Sequence, residues 1–536
     1  MPSDATARDD ARESCSLVSP GDRLLYRLLL ITVLLLMVAP LWIAPYNTLV
    51  DYPSHLARAY VLKNYAQVPI FQQVFTMVLE PLPNTGCDLL LPLLLVWWTP
   101  IIAGKVFLSL IVLLFGWGCH LLAASIHGRP SWSAPLCALL AYHSNFLYGF
   151  VNYSLALGLF LVSLALWMRF RSDWTVSRGW LVACLAVAAY LAHLSAFVFL
   201  GMGASWLLVW DCLQRRRVMW REVLALLILA PSVLLYLYPW TNRVQLHHPE
   251  WPTASEKVFG VGALFTGYEY SVDGLFLLAL ASVMVLVWRR GHASWNQPVL
   301  WLAAILLLLY FAAPKHFSQG RIGSVDSRFV APAFLLGLLA VTITLPKSCA
   351  RGVFFVLLTC ALARWGATAW QWYTLGHETA AMVRVLQRVR PQSRIYVLSP
   401  MPVGRREAKR SRAMLHTASY AVIERQSVPG NFFAARGVEP LIHRHPEQWV
   451  DEESPTRFDP QMLTQRLRHF DYLWGCNLDA GSREFVSARA TLLGEATSCG
   501  LWDLHHPQVA LRSDLPLLRI QAGNHLQRRR LTGQQW

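Results

Sequence analysis

Apolar runs approaching twenty residues return along the chain from Leu24 to Trp370, separated by short polar stretches. They cover 24–44, 100–125, 132–147, 151–168, 180–191, 196–210, 223–238, 274–288, 299–313, 330–345 and 353–370, with a short apolar piece at 89–98. A bilayer core needs runs of this order, so the pattern predicts about eleven transmembrane helices. After Trp370 the pattern changes. A helical period over 378–388, an apolar run at 394–398, a helix over 460–468 and an apolar run at 471–474 predict a separate α/β domain.

The basic residues sort by loop. Arg129; Arg169, Arg171 and Arg178; Arg215, Arg216, Arg217 and Arg221; Arg289 and Arg290; Lys347 and Arg351 all fall on one side of the spans. The positive-inside bias makes that side cytoplasmic. The first run follows Arg8, Arg12, Arg23 and Arg27 and lacks a small-residue cleavage site, since Ala39-Pro40-Leu41-Trp42 interrupts it. It reads as an uncleaved helix with its N-terminus inside. The expected organisation is a cytoplasmic segment 1–23, a transmembrane domain 24–370 with a large first outer loop 46–88, an extracytoplasmic α/β domain 371–510, and a basic tail 511–536.

Composition agrees. Of 536 residues, 55% are hydrophobic and 15% charged, which excludes an ordinary soluble protein. The net charge of +16 then reads first as a topology signal, and no nucleic-acid partner is expected. Tryptophans at span ends, such as Trp42, Trp97, Trp98, Trp240 and Trp370, fit an interfacial belt among membrane lipids. Cys476 and Cys499 fall on the oxidising side, where they are either a disulfide or two buried thiols. No CxxC pair, zinc spacing, GxGxxG or Walker loop occurs, so no nucleotide cofactor is expected and no metal site is evident, while a divalent metal stays open. His247, His248 and Glu250 read as a solvated loop rather than a metal site.

The most informative segment opens the first outer loop: Val50-Asp51-Tyr52-Pro53-Ser54-His55-Leu56-Ala57-Arg58-Ala59-Tyr60. Proline near a helix start predicts a helix opening at Pro53, and Asp51, His55 and Arg58 then fall along one face. A carboxylate, an imidazole and a guanidinium converge just outside the first span. The plainer reading is an acidic N-cap on a surface helix.

This segment and the span pattern resemble the GT-C superfamily of integral-membrane glycosyltransferases, which includes protein O-mannosyltransferases, oligosaccharyltransferases and the aminoarabinose transferases of lipid A. Where protein O-mannosyltransferases have a second acid, this chain has Tyr52. The resemblance implies an integral protein of a bacterial inner membrane with a periplasmic C-terminal domain. It also implies transfer of a sugar from a polyprenyl-phosphate carrier to a glycan, lipid or protein acceptor. An acceptor hydroxyl must lose its proton as it attacks, which suits Asp51 as general base. The departing phosphate needs cations, for which Arg58, Lys315, Arg321 and Arg328 are candidates. The last three share a glycine-containing loop expected on the outer face, where a basic cluster runs against the positive-inside bias.

Polar groups at the other outer turns could line a sugar pocket. His55, Asn145, Asn152 and His193 are the candidates, against the alternative that they satisfy the backbone of their turns. Lys105 and Arg364 lie inside apolar runs, from which they would snorkel to the interface or reach a headgroup-level phosphate. Two other functions compete: a transporter or flippase for a lipid-linked sugar, and a non-catalytic envelope assembly protein. Transporters usually carry mid-membrane charges and repeated halves, and neither pattern is evident here.

Overall fold

The computed structural model of the chain describes residues 17–240, 247–289, 293–317, 323–343, 347–400, 412–449 and 460–505. Helix α1 (Arg23–Ile43) leads into α2 (Tyr52–Asn64) and α3 (Gly86–Leu94), and then α4 (Pro100–His127). There follow α5 (Ser144–Tyr148), α6 (Val151–Phe170), α7 (Val176–Ala192), α8 (Leu194–Arg215) and α9 (Trp220–Leu237). Next come α10 (Ala254–Ala263), α11 (Tyr270–Arg289), α12 (Gln297–Ala312), α13 (Ser327–Ala340) and α14 (Lys347–Leu386).

Six of these, α1, α4, α6, α8, α9 and α14, are long and apolar enough to cross a membrane, and α7, α11, α12 and α13 are shorter apolar helices. The fold is therefore a polytopic helical membrane protein. The expected span 330–345 stops as a helix at Ala340, its next residues forming a strand (Val341–Ile343), and the span 132–147 differs more. Residues 132–147 form a short helix (Ser133–Ala138), a single tight turn (Leu139–Ala141) and then α5, rather than one continuous helix. The break falls at Tyr142 and His143, and side chains satisfy it. The His143 ring accepts from the Phe146 amide at 3.3 Å, and Arg364 Nη2 donates to the Tyr142 carbonyl at 3.0 Å. Irregular backbone is tolerated at membrane depth when protein surrounds it, and Ala134, Cys137, Ala138, Ala141 and Tyr142 are all buried.

Beyond the bundle lies a five-stranded sheet in the order Val428–Pro429, Arg394–Leu398, Tyr472–Cys476, Cys499–Asp503, Thr491–Ala496. Its strands belong to a chain-order set: β1 (Phe75–Met77), β2 (Ala293–Trp295), β3 (Val341–Ile343), β4 (Arg394–Leu398), β5 (Val428–Pro429), β6 (Leu441–His443), β7 (Tyr472–Cys476), β8 (Thr491–Ala496) and β9 (Cys499–Asp503). β4 runs parallel to β5 and β7, while β9 is antiparallel to β7 and β8. Cys476 and Cys499 stand in register on β7 and β9 and form a disulfide. Helices α15 (Tyr420–Arg425), α16 (Pro460–Leu467) and α17 (Ala480–Ser487) complete the unit. The strands expected at 394–398 and 471–474 and the helix expected over 460–468 are β4, β7 and α16.

Alternation along β4 divides the sheet into two faces. Ile395 and Val397 pack with Met382, Val385 and Leu386 at the end of α14. Tyr396 and Leu398 pack instead with Ala57, Val61, Phe71 and Phe75 of the first loop. The loop 46–88 and the C-terminal unit thus share one core, and β1 pairs antiparallel with β6 to seal them. Burying a phenylalanine such as Phe71 or Phe75 contributes up to about 3 kcal/mol.

The expected boundary at 370/371 is not a break in the chain path. α14 continues from the bundle to Leu386, so the helical pattern over 378–388 is its far end and not a separate element. Gly376 permits this route: a Cβ there would meet the Tyr46 carbonyl at 2.8 Å.

Candidate active site

The site grows from the start of α2. Pro53 sits in the first turn, where its missing N–H costs nothing, and Asp51 occupies the N-cap position. Its carbonyl accepts from the amides of Ser54 and His55 at 3.1 and 3.3 Å. Its carboxylate, however, makes no capping bond to the helix, so the plain N-cap reading does not account for it. The Asp51 amide donates to Tyr148 at 3.1 Å, which fixes the residue against the turn between α5 and α6. At that turn Gly149 has φ +95°, and a Cβ would come within 2.6 Å of the Asp51 nitrogen. Only glycine suits both the conformation and the approach.

Asp51, His55 and Arg58 do share one region, but with different roles. Arg58 is fully buried and forks onto Asp88 of α3, with Nε to Oδ1 at 2.6 Å and Nη2 to Oδ2 at 2.9 Å. Its Nη1 lies 3.2 Å from Glu439 Oε1, and its Nη2 donates to His55 Nδ1 at 3.1 Å. Burial works against the charge, but Asp88 and Glu439 outweigh it and hold the guanidinium proton more tightly than in water. The guanidinium expected at the donor phosphate is thus engaged by two carboxylates, and it fastens α2 to α3 and to the C-terminal unit.

The C-terminal unit closes the site from the other side. His416 Nε2 is 3.8 Å from Asp51 Oδ1, and Phe433 packs edge-on against both His416 and His55, at 4.8 and 5.5 Å between ring centres. Ser419 and Ser54 share a hydroxyl contact at 3.0 Å. In this enclosure the Asp51 carboxyl is pushed up to about 8, first by burial and then by Glu439. Its side chain nevertheless keeps 15% exposure, enough to be reached. Burial pushes His416 down to about 4, and burial, Arg58 and His416 push His55 well below the usual imidazole range. Both rings are neutral at pH 7.

A cation stands across the α5–α6 turn. Arg328, in the first turn of α13, lies over Phe150 at 5.8 Å and forms no ion pair among the described residues; its Nε is buried without a hydrogen bond. Asp326, the nearest acid in sequence, is taken by Lys257 at 2.7 Å. Tyr153 donates to the Arg328 carbonyl at 2.7 Å and holds the start of α13 in place. His193 stands near, its ring 5.7 Å from Tyr153. Its Nδ1 accepts from Ser195 N at 3.2 Å and so caps α8. Asn145 exchanges long contacts of 3.4 Å with Ser327.

Asn152, expected as a pocket candidate, is engaged with backbone on both sides of its amide. Its Oδ1 accepts from Cys87 N and its Nδ2 donates to the Asn84 carbonyl, each at 2.6 Å, so the amide is engaged in shaping the entry to α3. Lys315 lies 3.8 Å from Glu256, half-buried and loosely held. Arg321 lies outside the described residues. The two basic residues within apolar runs find protein partners. Lys105 donates to the Ala44 carbonyl at the end of α1 at 2.7 Å, and Arg364 pairs with Asp273 at 2.9 Å. Among the described residues no three His, Cys, Asp or Glu side chains are grouped as metal ligands.

Sequence reasoning missed Asp88, His416, Asn431, Phe433 and Glu439. Asp88 carried a signal, an isolated carboxylate entering an apolar run with a loop arginine in need of a partner. The other four sit in irregular chain with no periodic pattern.

No protein-family model matches the chain, and no curated protein matches it in sequence. Among solved structures, the chain is similar to ArnT from Cupriavidus metallidurans bound to undecaprenyl phosphate. The TM-score is 0.48, with 11% identity and coverage of 89% of this chain and 97% of that one.

Proposed function

We propose that the chain is a glycosyltransferase that moves a sugar from a polyprenyl-phosphate carrier to an acceptor hydroxyl on the extracytoplasmic face, with Asp51 as general base. The observation that carries this reading is the Asp51 carboxylate itself. It caps no helix turn, forms no close ion pair among the described residues, and is buried with its proton affinity raised to about 8, within the range where a general base works efficiently. A structural acid at the same position would be engaged, as Asp88 is.

Arg328 supports the second half of the reaction. An acceptor attacking the anomeric carbon expels the carrier phosphate, whose charge needs a cation that is not already neutralised. Arg328 meets that description, and Lys315, held only loosely, can exchange its partner for a phosphate oxygen. Arg321 shares their loop in sequence and is assigned to the same phosphate. His193 and Asn145, close to Tyr153 and to Ser327 beside Arg328, are assigned to the sugar side.

The test is transfer in membranes containing the full chain, using a panel of radiolabelled polyprenyl-phosphate hexoses and pentoses. Wild-type protein should release polyprenyl phosphate from one of them, and Asp51→Asn should abolish the release at unchanged expression. Full activity in Asp51→Asn would remove the assigned base.

A further inference from the structure

We infer that His416, delivered by the C-terminal unit, is a positioning residue that presents an N–H to the Asp51 carboxylate, and that Asn431 fixes the imidazole tautomer that makes this possible. The inference rests on the reading of Asp51 as the base and assigns a specific task to the C-terminal unit within that site.

The tautomer follows from donors and acceptors. Asn431 Nδ2 points at the Leu415 carbonyl at 3.3 Å, and a carbonyl only accepts, so the amide nitrogen and not its oxygen must face that way. The same nitrogen lies 3.5 Å from His416 Nδ1. Since Nδ2 only donates, Nδ1 must accept. A neutral imidazole accepting at Nδ1 carries its proton on Nε2, the atom that faces Asp51 Oδ1 at 3.8 Å. That separation is longer than a hydrogen bond, and such contacts tighten when substrate excludes water. Phe433 packs against the ring and limits its rotation. His416 and Asn431 are both almost wholly buried, so water does not compete for either.

The N–H has a definite effect. Burial and Glu439 both drive the Asp51 carboxyl toward its protonated, inactive form, and a donor aimed at the carboxylate opposes them. The other titratable or charged groups around the pair are His55 and Arg58 on α2, Asp88 on α3 and Glu439; Tyr52 follows Asp51 at the start of α2 and Tyr420 opens α15. Of these, only His55 feels His416 directly, and burial and Arg58 hold its ring neutral with or without that neighbour.

The experiment is a titration of Asp51 in the full chain reconstituted in lipid nanodiscs. The protonated-carboxyl stretch is read by infrared difference against Asp51→Asn, which requires no substrate. His416→Phe should move the midpoint up by about one pH unit, the effect of losing one hydrogen bond to a charged group. His416→Gln, whose amide N–H reaches the same place, should stay close to wild type. Asn431→Leu leaves the imidazole in place and frees its tautomer, and it should move the midpoint up by a smaller amount. An unmoved midpoint in His416→Phe, an equal shift in His416→Gln, or no shift in Asn431→Leu would overturn the inference. Failure of the base assignment shows separately, as retained transfer in Asp51→Asn.

Discussion

The amide of Asp51 donates to the carbonyl of Tyr148 at 3.1 Å, so the residue after α1 is placed by the α5–α6 turn and not by its own helix alone. Two residues further along that turn, Phe150 carries the Arg328 guanidinium. One tight turn therefore sets the Asp51 carboxylate and the Arg328 guanidinium relative to each other.

Gly149→Ala tests that arrangement. The left-handed backbone and the 2.6 Å approach to Asp51 N leave no room for a methyl group. The expected cost is about 1–3 kcal/mol of local strain, relieved by displacing Asp51. Transfer should fall at least tenfold with modest loss of thermal stability, and near-normal transfer would show that the turn does not set the site.

The pH profile follows from the direction of the Asp51 shift. A general base must be ionised, and a carboxyl raised to about 8 ionises only as pH climbs through that value. kcat/KM should therefore rise with pH up to about 8 and flatten above it, with the rate at pH 6 about a hundredfold below the plateau. A limb near pH 4 would mean that another group limits the rate.

Arg58→Met should act on folding. It leaves Asp88 and Glu439 buried without their cation, a change that costs about 3–5 kcal/mol. Thermal unfolding in nanodiscs should show a large drop. A stable variant with a selective loss of donor affinity would restore the phosphate role to Arg58.

Arg328→Ala should behave in the opposite way. No ion pair is broken among the described residues, so stability should hold or rise. The KM for the polyprenyl-phosphate donor should increase about tenfold to a hundredfold, the range for lost hydrogen bonds to a charged group. An unchanged donor KM would exclude contact with the phosphate.

Much of this architecture was legible because bilayer-length apolar runs and a period-2 strand pattern are local signals. The 394–398 strand and the spans at 151–168 and 196–210 follow from them directly. The site was half legible. Asp51, His55 and Arg58 share one helical turn pattern, but the partner that decides the role of Arg58 lies 30 residues away, and Ser419 meets Ser54 across 365 residues. Charge type alone made Arg58 and Arg328 look equivalent. Burial and pairing separate them, and neither is written in local periodicity. Asn152 looked like a pocket residue for the same reason, since an amide that holds a loop and one that holds a sugar have the same sequence signature.

The path of α14 has a mechanical consequence. Its 40 residues make a rod about 60 Å long that is embedded at one end and packed on the sheet at the other. A tilt of about 5° would carry the far end roughly 5 Å sideways, and bilayers of different thickness impose tilts of this order. Asp51 is tied to the bundle turn at Tyr148, while His416 belongs to the unit packed on the far end of α14, so such a tilt bears on the pair. Reconstitution in lipids of graded acyl length should therefore change the turnover rate while leaving the chemistry of each side chain untouched.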